Sequence, residues 1–115
     1  MDCFVGIDLG STTTKSIYMS PDEEILGRGI TNSRSNYALA CEVAADEAEI
    51  NSRFNVLRKR LEASGDDGSA AEVTQWLTAR FRLAQHLLQT DALEEECRRV
   101  VAEWPDAGER ADYEA

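Results

Sequence analysis

The sequence predicts an α+β chain, a three-stranded antiparallel meander followed by two or three helices. Three observations carry that expectation. Apolar residues first recur in short strand-like runs, and after Asn36 they switch to helical spacing. The connections between the early runs are too short for crossovers, which favours antiparallel neighbours. Pro105 then ends the helical pattern. The chain divides accordingly into a β-meander over residues 1–36, a helical segment over 37–104 and a polar C-terminal tail over 105–115.

Residues 3–8, Cys-Phe-Val-Gly-Ile-Asp, form an apolar run that reads as a buried strand. From Thr12 to Ser20, Ile17 and Met19 lie on the face opposite Ser16 and Tyr18, the alternation of a second strand. Pro21-Asp22-Glu23 signals a turn. Ile25 to Thr31 reads as a third strand, weakened by Gly27 and Gly29. A polar loop, Asn32-Ser33-Arg34-Ser35-Asn36, follows, with Asn36 placed to cap a helix. Leu39, Val43, Ile50, Phe54, Leu57 and Leu61 mark one apolar stripe between about Tyr37 and Glu62. Gly65 and Gly68 break that helix, and Ser69-Ala70-Ala71-Glu72 has the spacing of a capping box that starts another. Asp91 offers a further cap, so Thr90 is a candidate boundary between a second and a third helix.

At 115 residues there is room for one domain and one core. The net charge is −10: five acids stand against three bases up to residue 40, and seventeen against nine beyond it. So negative a chain repels a phosphate backbone, which argues against nucleic-acid binding. The apolar runs fall far short of the ~20 residues needed to span a bilayer. Asp2 and Asp8 flank the only early apolar stretch, so no secretory signal is read and the expected location is cytoplasmic. Cys3, Cys41 and Cys97 show no paired metal-ligand spacing and read as small buried hydrophobes. His86 has no second histidine near it, and Trp76, Phe81 and Trp104 fall at helical spacing, as core or as a covered surface. Glu94-Glu95-Glu96 reads as a solvated helix face, and Arg34 as a solvated or loop-stabilising arginine, with phosphate or a partner as its alternative contact.

The chemistry concentrates in Gly6-Ile7-Asp8-Leu9-Gly10-Ser11-Thr12-Thr13-Thr14-Lys15. Gly10 permits a tight turn and close backbone approach. Amides at Gly10, Ser11, Thr12 and Thr13 can converge on phosphate oxygens, and the hydroxyls of Ser11, Thr12 and Thr13 add donors. Asp8 is placed to hold Mg²⁺, through water because that ion dehydrates reluctantly, and Lys15 is a candidate counter-charge. The pattern is neither a Walker loop nor a Rossmann fingerprint.

This stretch resembles the first phosphate motif of the superfamily that joins acetate kinase, sugar kinases, heat-shock chaperone ATPases and actin. A second stretch, Ile25 to Tyr37 and on through Ala44, Glu47-Ala48 and Asn51-Ser52-Arg53-Phe54, resembles the ATPase subunits of class I benzoyl-CoA reductase. The resemblance covers about the first half of the chain. It implies a ribonuclease-H-like (actin-like ATPase) domain, of which this chain is a part, and ATP hydrolysis coupled to low-potential electron transfer. It further implies ATP and Mg²⁺ as cofactors and a [4Fe–4S] cluster shared with a second ATPase subunit. Catalytic reductase subunits that reduce the aromatic ring of benzoyl-CoA are the implied partners. Asp8 corresponds to the metal-associated aspartate, and Gly10, Ser11, Thr12 and Thr13 to the phosphate turn. A second phosphate motif, adenosine-binding glycines and cluster cysteines are not found, so the chain is expected to be an N-terminal portion, incomplete alone. Self-association through an unpaired sheet edge is expected with it. The alternatives are a sugar-kinase-like ATP-binding fragment and a non-catalytic helical interaction module.

Overall fold

A computed structural model describes residues 2–33, 35–65 and 69–104. Three strands, β1 (Phe4–Leu9), β2 (Thr13–Met19) and β3 (Ile25–Asn32), precede two helices, α1 (Tyr37–Ala63) and α2 (Ala70–Ala102). The strands form an antiparallel sheet in the order β1-β2-β3, as the short connections require. The described residues up to Gln75 form one compact unit and those from Trp76 onward a second. Arg34 and the tail over 105–115 lie outside the described residues.

The β2–β3 turn is a three-residue loop in which Glu23 takes the left-handed conformation (φ 64°), while its N–H donates to the Ser20 carbonyl at 3.0 Å. The register then shifts between Tyr18, opposite Gly27, and Met19, opposite Ile25. Leu26 is the extra residue of this bulge, and it is buried.

α1 packs chiefly on β3 and β2, and the face it uses differs from the expected one. Its buried residues are Ala40, Ala44, Ala48 and Ser52, one every four positions. Leu39 and Val43, expected at the core, are 52% and 43% exposed, and Ile50, Phe54, Leu57 and Leu61 are half-buried flanks. The reason lies in β3. A Cβ built on Gly29 would sit 2.0 Å from the Ala44 carbonyl oxygen, and one on Gly27 would sit 2.4 Å from the Ala48 carbonyl oxygen. The glycines that seemed to weaken the strand instead let the helix backbone rest against it. Only small helix residues fit that contact. Two asparagines fasten it: Asn51 Nδ2 donates to the Arg28 carbonyl at 2.8 Å and Asn55 Nδ2 to the Leu26 carbonyl at 2.9 Å.

Three further expectations are corrected. β1 is not a buried strand: all six of its residues are exposed, because it is an edge strand and α1 lies over the other two. Thr90 does not divide the helical segment. α2 runs through it unbroken, with the Thr90 hydroxyl donating to the His86 carbonyl at 2.9 Å, so the hydroxyl is satisfied inside the helix rather than at a cap. Cys3 and Cys97 are exposed and Cys41 is half-buried, so the thiols are not core hydrophobes. Within the second unit Trp76, Phe81 and Trp104 are also exposed, with the Arg80 guanidinium 5.4 Å above the Trp76 ring. Glu94 pairs with Arg98 and Glu96 with Arg99, as a solvated helix face should, and the Arg99 hydrogen bond holds the Glu96 carboxyl below its usual range. No described helix is long and apolar enough to cross a membrane.

Candidate functional site

The β1–β2 hairpin brings together every residue singled out in the glycine- and hydroxyl-rich stretch. Leu9 pairs with Thr14 and Asp8 with Lys15, leaving Gly10, Ser11, Thr12 and Thr13 at the tip. The Gly10 N–H closes the hairpin by donating to the Thr13 carbonyl at 3.1 Å. A Cβ at position 10 would lie 2.7 Å from that carbonyl oxygen, so the turn requires glycine. This bond corrects one expectation: the Gly10 amide is spent on the hairpin and does not face a ligand. Ser11 and Thr12 are exposed, and among the described residues neither amide nor hydroxyl has a protein partner.

Asp8 and Lys15 stand directly opposite one another on the sheet face away from α1, both exposed. No ion pair joins them among the described residues, which leaves the carboxylate open to a cation and the ammonium open to an anion. Among the described residues there is no group of three or more His, Cys, Asp or Glu side chains that could hold a metal ion. Asp8 would therefore bind Mg²⁺ only jointly with water and ligand oxygens, a mode this ion favours.

Two residues that were not singled out complete the geometry. Ser33, directly after β3, is fully buried and donates its hydroxyl to the Gly10 carbonyl at 2.5 Å. Its N–H donates to the Thr12 carbonyl at 2.9 Å, and Thr14, also fully buried, lies with its Oγ1 2.9 Å from Ser33 Oγ. In the sequence Ser33 is one serine in a polar loop and Thr14 one of three threonines, and nothing there distinguishes them.

The chain matches no protein-family model, no curated protein and no solved structure. The fold and the hairpin define an α+β unit whose first turn presents amides and hydroxyls, beside a carboxylate, that have no partner among the described residues.

Proposed function

We propose that this chain is the nucleotide-phosphate-binding portion of an ATPase subunit of the class I benzoyl-CoA reductase type, within a ribonuclease-H-like domain. ATP hydrolysis would there be coupled to low-potential electron transfer for aromatic-ring reduction, with a second ATPase subunit and the reductase subunits as partners. The observation that carries the proposal is the hairpin tip: Ser11 and Thr12, three and four residues beyond Asp8, offer amides and hydroxyls that no protein group uses among the described residues. Such a tip suits a phosphate, whose concentrated charge needs several donors. Asp8 would hold Mg²⁺ and Lys15 would offset the remaining charge. When bound, the metal neutralises phosphate charge; the chain's own residues orient the phosphates and fix the metal's position. The resemblance also implies a [4Fe–4S] cluster, but Cys3, Cys41 and Cys97 belong to no metal-holding group among the described residues, so cluster ligation is not assigned to them.

Calorimetry with Mg²⁺-ATP tests this. Binding in the micromolar range, weakened at least about tenfold by Asp8→Ala, is expected, since a charge-assisted contact contributes roughly 1.5–3 kcal/mol and 1.4 kcal/mol is tenfold. A folded chain that binds no Mg²⁺-ATP would overturn the proposal. The exposed Trp76, Leu88 and Leu93 on α2 favour a second reading, a helical interaction module. Concentration-dependent self-association without nucleotide binding would select it.

A further inference from the structure

Resting on that reading, we propose that Ser33 is the positioning residue of the phosphate hairpin, which aims the Ser11 and Thr13 amides at the ligand from twenty or more residues away in the chain.

The argument is one of peptide geometry. No cis peptide bond occurs among the described residues, so each carbonyl points opposite to the N–H that follows it in the same plane. The Gly10 carbonyl is drawn toward Ser33 by the hydroxyl bond at 2.5 Å, which turns the Ser11 N–H away from Ser33. The Thr12 carbonyl is drawn toward Ser33 by the backbone bond at 2.9 Å, which turns the Thr13 N–H away in the same manner. One buried residue thereby fixes two peptide planes of the tip, and the Gly10 bond to Thr13 closes the loop between them. A flexible tip would have to be ordered by the anion itself; this one is ordered beforehand.

The hydroxyl arrangement has a direction. Ser33 has one hydroxyl proton, and the Gly10 carbonyl takes it. In the contact between Thr14 Oγ1 and Ser33 Oγ, Thr14 must therefore be the donor. The chain of bonds runs from Thr14 to Ser33 to Gly10, with both hydroxyls satisfied and fully buried. In such a buried network the loss of one hydroxyl leaves its neighbours unpaired.

The test compares wild type, Ser33→Ala, Ser33→Thr and Thr14→Val, with Mg²⁺-ATP and inorganic tripolyphosphate as separate calorimetric probes. Ser33→Ala should weaken both by about tenfold, because the lost alignment concerns phosphate alone. Ser33→Thr, which keeps the hydroxyl, should restore affinity to within about threefold, and Thr14→Val should weaken it by an intermediate factor. The backbone ¹⁵N order parameter at Ser11 should fall in Ser33→Ala while those in the middle of β2 hold, a pattern that general destabilisation does not produce. Thr14→Val carries the same comparison should Ser33→Ala fail to fold. Wild-type binding that Ser33→Ala and Thr14→Val leave unchanged would overturn the positioning role and spare the phosphate reading. If the wild type binds neither probe, the phosphate reading falls and the positioning role falls with it. Order parameters unchanged at the tip would overturn the clamp in either case.

Discussion

Replacing Gly29 by alanine sets two physical arguments against each other. Strand propensity favours the change, since glycine in a strand is about 0.5–1 kcal/mol worse than alanine. The structure opposes it. The new Cβ would lie 2.0 Å from the Ala44 carbonyl oxygen and 2.7 Å from the Ala48 nitrogen, both backbone atoms that no rotamer change can move. Restoring an ordinary contact near 3.5 Å means displacing α1 by about 1.5 Å. That would stretch the Asn51 bond to the Arg28 carbonyl, now 2.8 Å, beyond hydrogen-bonding range, and the Asn55 bond to Leu26 with it. Overpacking costs about 1–3 kcal/mol and each lost bond about 0.5–1.5 kcal/mol. Less the propensity gain, Gly29→Ala should destabilise by about 3 kcal/mol, a large part of the 5–15 kcal/mol typical of a domain. Urea unfolding followed by circular dichroism reads this directly: with a slope near 1 kcal/mol per molar, the midpoint falls by about 3 M. Gly6→Ala serves as the control, because its Cβ would meet only the Ile17 side chain, at 3.3 Å. A Gly29→Ala midpoint equal to or above that of wild type would refute the close-packing account of the helix–sheet contact.

Two further substitutions probe the same unit. Ser16 Oγ is buried with no hydrogen-bond partner among the described residues, so Ser16→Ala should raise stability by about 1 kcal/mol, or several degrees in a melting curve; a lower melting temperature would show that the hydroxyl has a partner after all. Asn36 Oδ1 accepts the Leu39 N–H at 3.0 Å, so Asn36→Ala should cost about 1 kcal/mol in urea while Asn36→Asp stays near wild type, and equal losses for both would argue against a capping role.

What the sequence makes legible here is local. Strand order, turn positions, the Asn36 cap and the start of α2 after Ser69 each depend on residues a few positions apart, and each is found where local chemistry places it. The packing face of α1 was not legible, because a hydrophobic stripe measures apolarity and not size. Leu39 and Val43 outweigh Ala40 and Ala44 on any apolar scale, yet the alanines are buried. The deciding information is shared between elements: alanine every fourth residue in α1 reads as mere helix propensity, and glycine every second residue in β3 reads as mere weakness. Their meaning appears only when the two surfaces meet. Thr90-Asp91 fails in the opposite way, as a local capping signal that the surrounding helix overrides.

The hairpin and its support divide along the same line. Asp8, Gly10, Ser11 and Thr12 are adjacent in the chain, so their joint chemistry shows in the sequence. Ser33 becomes part of the site only through register. Thr13 lies opposite Asn32, which sets the next residue, Ser33, beside Thr12. That register depends on the turn between Ser20 and Glu24 and on the bulge that takes Leu26 out of the ladder. A slip of one residue between β2 and β3 would turn every β3 side chain to the opposite face. Ser33 would lose Gly10 and Thr14 together, and Gly27 and Gly29 would leave the helix face in the same step. The order of the β1–β2 hairpin and the close seat of α1 therefore rest on a single strand alignment, and the bulge and glycines of β3 are as much a part of the candidate site as the serines and threonines at its tip.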